Sequence, residues 1–66
     1  MYTNIEAERV RKRMSQKEIA VKLDISQKTY SSYVRGLTPI PSDVLMQLAR
    51  MFGCNIDYLL SEREGR

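Results

Sequence analysis

The sequence predicts an all-α fold, five short helices around one core, and three observations carry it. Ser, Thr or Asn recurs just ahead of each apolar stretch, and Gly or Asp follows several of them, which is the punctuation of capped helices. Between those marks the apolar residues recur at spacings of three and four, as on one face of a helix. No segment alternates apolar and polar residues in the manner of a half-buried strand.

Taken in order, Thr3 with Glu6 three residues later reads as a capping box, in which each side chain satisfies a backbone N–H of the other residue. The helix it opens is expected to reach Arg13, with Glu6, Arg9 and Arg13 facing solvent. Ser15 with Glu18 repeats the pattern, and Ile19, Ala20 and Leu23 form the inward face of a second helix. Asp24 tolerates a left-handed backbone and can end that helix, and Ile25 plugs the core from the turn. Ser26 caps a third helix with Tyr30, Tyr33 and Val34 inward, closed by Gly36. Pro39 and Pro41 stiffen the loop that follows. Ser42 is expected to cap a fourth helix, with Asp43 in its first turn, a core face of Leu45, Leu48, Ala49 and Phe52, and Gly53 as its stop. Val44, Met46 and Met51 are left as an adaptable apolar patch, and Met46 and Met51 are the candidate dimer interface. Cys54 reads as a small buried hydrophobe. Asn55 caps a fifth helix carrying Ile56, Leu59 and Leu60, and residues 61–66 form a polar tail.

Composition narrows the function. At 66 residues, with 42 % apolar and 29 % charged residues, the chain is expected to be one small globular domain. It holds no His and one Cys, so it lacks an imidazole base, a His-ligated zinc and an internal disulfide. No paired carboxylates, Gly-rich phosphate loop or nucleophile–base set is present, so no catalytic residue, metal, cofactor or small-molecule substrate is expected. No apolar run approaches the roughly 18 residues of a spanning helix, and the charged N-terminus does not resemble a secretion leader. A cytoplasmic protein is therefore expected. Residues 1–35 carry eight of the eleven Lys and Arg against four acids, and residues 36–66 carry three bases against four acids. The basic first half suits a polyanion, and Arg9, Arg11, Lys12, Lys17 and Arg35 are its candidate phosphate contacts.

The stretch from Ser15 to Val34 is two capped helices joined by Asp24-Ile25-Ser26, a turn short enough to let the second helix protrude. The outward face of that second helix carries Gln27, Lys28, Ser31 and Ser32 and no acid. Gln pairs with adenine in bidentate fashion, Lys donates to guanine and Ser serves either, so the face has the chemistry of base reading in a major groove. Ser31 is expected to lie further round the helix and to matter less. RNA is the less favoured partner, since the tyrosines read as core residues rather than as an exposed stacking platform.

Ser15-Gln16-Lys17-Glu18-Ile19-Ala20, continuing through Leu23, Ile25, Ser26, Tyr30 and Gly36, resembles the Cro/phage-repressor (Xre-like) helix-turn-helix family. Ile56-Asp57-Tyr58-Leu59-Leu60, after a helix ending at Gly53, is similar to that family's fifth helix. The resemblance spans about residues 3–60 and implies a compact five-helix domain of the lambda-repressor-like DNA-binding type, with its motif at about residues 15–34. It also implies a regulator that binds double-stranded operator DNA as a homodimer; an interaction module of the same fold, such as an antitoxin or adaptor, is the alternative. Carried over residue by residue, Ser26, Gln27, Lys28 and Ser32 fall at base-facing positions. Gln16, Arg9, Arg35, Gly36 and Thr38 fall where the family approaches phosphate, Gln16 also bracing the recognition helix. Asp24 and Arg13 stand where the family usually has Gly. Val34 stands where many members have a Glu that pairs with the arginine of the first helix, so Arg9 is expected to lack an acidic partner and to be free for phosphate.

Overall fold

The computed structural model describes residues 1–61. They form five helices: α1 (Thr3–Arg11), α2 (Gln16–Leu23), α3 (Gln27–Val34), α4 (Ser42–Phe52) and α5 (Ile56–Leu60). The expected polar tail lies, apart from Ser61, outside the described residues. Helix α1 packs on α3, α4 and α5, while α2 packs chiefly on α3. Ile5, Ile19, Tyr30, Leu48 and Leu59 are the largest fully enclosed side chains, one from each helix. Each enclosed aliphatic side chain contributes about 1.5–3 kcal/mol relative to exposure, so all five helices depend on the same core.

Most of the expected caps form. Around Ser15, the Glu18 N–H donates to the Ser15 hydroxyl at 3.0 Å and the Ser15 N–H donates to the Glu18 carboxylate at 2.7 Å. Ser26 accepts from the Thr29 N–H, and Asn55 from the Tyr58 N–H. Asp24 ends α2 at φ 60°, and Gly53 ends α4 at φ 67°. The first turns of α1 and α4 differ from expectation. Tyr2, not Thr3, holds the cap position of α1, and no side chain caps it. The Tyr2 N–H instead donates to the Val34 carbonyl at 2.7 Å, which ties the chain start to the end of α3. Pro41 holds the cap position of α4, so Ser42 is already helical; the extended backbone of Pro41 sets the entry without a side-chain bond. Helix α1 also stops at Arg11, short of Arg13. Arg13 is left-handed at φ 59°, in the place where a glycine would sit without strain.

Helix α4 presents a different stripe from the one expected. Val44, Leu48 and Phe52 are buried at spacings of four, Ala49 is half-buried against them, and Leu45 is only half-buried. Val44 is therefore core, not part of an adaptable patch. Met51 is half-buried against the core, whereas Met46 is 50 % exposed. The helix turns by about 100° per residue, and a stripe beginning at Val44 excludes both of its neighbours.

The α1–α5 contact is polar as well as apolar. The Asn4 side-chain amide donates to the Tyr58 carbonyl at 2.8 Å, and the Tyr58 hydroxyl donates to the Glu8 carboxylate at 2.9 Å. Asn4 and Glu8 are both buried, and each is satisfied across the helix pair. Cys54 lies half-buried against the core, and burial pushes its thiol up. It packs as the expected small hydrophobe.

Candidate nucleic-acid interface

Glu6 sits where α1, α2 and α3 meet. Arg9 Nε and Nη2 donate to its two carboxylate oxygens at 3.0 Å each, a bidentate pair. The Gln16 side-chain amide donates to the same carboxylate at 3.1 Å, and the Tyr30 hydroxyl donates to it as well. Arg9 Nη1 completes the cluster by donating to the Met14 carbonyl. The Arg9 and Glu6 side chains are 17 % and 23 % exposed. This overturns the expectation that Arg9 lacks an acidic partner. The partner comes from one turn earlier on α1 instead of from the Val34 position on α3, and the guanidinium is an internal strut, not a free surface cation.

Burial pushes the Glu6 carboxyl up, but hydrogen bonds from Arg9, Tyr30 and Gln16 outweigh it and hold the group below its ordinary value of 4.5. Burial, and then the bond to the Glu6 carboxylate, push the Tyr30 hydroxyl up. Folding therefore favours ionised Glu6. Its contribution is present above pH 4.5 and is lost as the pH falls through the lower folded value. The melting temperature is expected to drop as the pH falls below 4.5 and through that lower value, and less steeply in Glu6→Gln, which has no charge to lose. Equal slopes for the two proteins in calorimetry would contradict this.

With that cluster beneath it, α3 turns its outer face to solvent. Gln27 and Lys28 are exposed, Ser31 and Ser32 half-buried, and Arg35 exposed at the helix end. These five residues line one open hollow of about 450 Å³, together with Gln16 from the start of α2 and Leu37 from the loop. No acid lines it. Gln16 thus belongs both to the hollow and to the Glu6 cluster, so the core braces the base of the hollow.

The hollow brings together Gln16, Gln27, Lys28, Ser32 and Arg35 of the expected site. The others lie elsewhere. Ser26 uses its hydroxyl to cap α3 and to donate to the Thr29 hydroxyl at 2.8 Å, which leaves it little for a base. Lys17 lines a second, smaller hollow of about 330 Å³ with Glu18, Val21 and Lys22 on the outer side of α2. Gly36 is left-handed at φ 78°, and a side chain there would stand 3.9 Å from the Met1 nitrogen. Thr38 is exposed and shares a 2.8 Å hydrogen bond with the Ser32 hydroxyl, which fixes the loop to the helix.

Ser31, placed on the outward face by the sequence, lies one helical turn after Gln27 and lines the hollow with it. One lining residue, Leu37, was not expected. Leu37 had no sequence signal: it is one of two large aliphatic residues, with Ile40, in the proline-containing loop after α3. Among the described residues, no helix is long and apolar enough to cross a membrane, and no His, Cys, Asp and Glu cluster could hold a metal ion.

A helix-turn-helix family profile matches residues 5–59. Neither a curated protein nor a solved structure matches the chain.

Proposed function

The chain belongs to the helix-turn-helix family of DNA-binding regulators, of the Cro/Xre type, and from that premise we propose that it is a sequence-specific repressor of double-stranded operator DNA. That family is not typically enzymatic. The observation that carries the reading is the acid-free hollow on α3, where forked and adaptable donors converge on one side. In this reading α3 enters the major groove with Gln27 and Lys28 foremost, and Ser31 and Ser32 supplement them. Lys17, Arg35 and the backbone at Gly36 and Thr38 meet phosphates on either side, while Gln16 holds the start of α2 against the backbone. The protein acts as a homodimer in the cytoplasm, on half-sites related by two-fold symmetry and about 34 Å apart. Repression follows from occupying promoter DNA.

Selection from a random duplex pool, run with wild type, Gln27→Ala and Lys28→Ala, tests this. Both variants are expected to relax the preference at one or two base pairs per half-site. Losing a base contact of about 1–3 kcal/mol lowers discrimination there roughly 5- to 150-fold. If both keep the wild-type motif and lose affinity evenly, these side chains do not read bases. An interaction module, which the exposure of Met46 on α4 favours, then becomes the better reading.

A further inference from the structure

Leu37 is 66 % exposed, the most exposed leucine among the described residues, although its backbone is firmly held. Its N–H donates to the Ser32 carbonyl at 3.0 Å, Gly36 before it takes the turn at φ 78°, and Thr38 after it is bonded to Ser32. A single exposed apolar side chain is ordinary on a protein surface and says nothing alone. This one lines the same hollow as Gln27, Lys28 and Arg35, with cations beside it and no acid. A duplex seated there presents phosphates to Arg35 and base edges to Gln27 and Lys28. The base edges on the floor of the major groove carry one methyl group, the C5-methyl of thymine.

We infer that Leu37 is a specificity-determining residue that reads a thymine methyl beside the base pairs read by Gln27 and Lys28. The inference rests on the DNA-binding reading above and adds to it a contact from outside the helix-turn-helix motif. Fixing the backbone in advance means that little loop ordering has to be offset on binding. The side chain loses water on one face only when the methyl is present, so the discrimination is that of thymine against the same base without its methyl.

The test uses the duplex selected by the wild-type protein, with each thymine replaced in turn by deoxyuridine, which removes the methyl and keeps the pairing. Binding is measured for wild type, Leu37→Ala and Leu37→Met. At one thymine per half-site wild type is expected to lose about fourfold in affinity, the equivalent of one buried methyl group. Leu37→Ala is expected to bind the thymine and deoxyuridine duplexes alike there, and Leu37→Met to keep most of the difference. If Leu37→Ala stays as sensitive as wild type at every thymine, or if wild type is indifferent at all of them, Leu37 does not read a methyl, while DNA binding itself stands. If wild type binds the selected duplex no better than scrambled DNA, the DNA-binding reading fails and takes this inference with it.

Discussion

Raising salt from about 50 to about 200 mM is expected to weaken binding to the selected duplex about 10³-fold. On the proposed reading each protomer brings three exposed cations to the duplex, Lys28 and Arg35 from the α3 hollow and Lys17 from the outer side of α2, and Arg9 is excluded because its guanidinium is tied to Glu6 and Met14. Two protomers then bring about six cations into the field of the phosphates, each displacing a counterion whether it meets a phosphate or, as Lys28 does, a base edge, and the logarithm of affinity falls with the logarithm of salt at a slope of about −5. Fluorescence anisotropy over a salt series reads the slope directly. Arg35→Ala is expected to make it shallower by about one per protomer, because a phosphate contact is lost. Arg9→Ala is expected to leave the slope unchanged. A flat salt response of the wild-type protein contradicts the electrostatic part of the proposal, and a shallower slope in Arg9→Ala restores Arg9 as a phosphate contact.

Glu6→Ala is expected to cost about 3 kcal/mol of stability. The substitution leaves Arg9, Gln16 and Tyr30 without the acceptor they share, all at a junction of three helices. Removing one partner of a partly buried ion pair is costly because the other charge stays partly desolvated, here with the Met14 carbonyl as its remaining partner. For a chain this small the whole folding free energy is about 3–10 kcal/mol, so the loss is a large share of it. The melting temperature should fall by roughly 12–24 °C. Arg9→Ala is expected to cost less, since Gln16 and Tyr30 still donate to Glu6. Thermal melts followed by circular dichroism rank the two, with Glu6→Gln as the milder change that keeps an acceptor. A drop of less than about 4 °C in Glu6→Ala would show that the cluster contributes little to stability.

Two identical sequence patterns in this chain have opposite outcomes. Ser15 and Glu18 form the capping box that their spacing implies. Thr3 and Glu6 have the same spacing and form none. The difference lies in what else is near. Glu18 is exposed and has its own turn for company, whereas Glu6 stands beside Arg9, Gln16 and Tyr30 and takes the stronger, charge-assisted bonds. Tyr30 is 24 residues away in sequence, and no local window contains it.

By itself the sequence determined the number of helices, the turns that end them at Asp24, Gly36 and Gly53, and the family. It also determined the acid-free face of Gln27, Lys28 and Ser32. All of these follow from interactions within about one helical turn, or from periodicity along one helix, which a linear chain displays directly. The tertiary structure alone decided that Glu6 gathers Gln16 and Tyr30 around its pair with Arg9, and that Val44 and not Leu45 faces the core. It alone brought Leu37 to the rim of the α3 face. Each of these depends on which side chains, far apart in the chain, come to share an acceptor, a core or a hollow, and that is settled only when the helices close on one another.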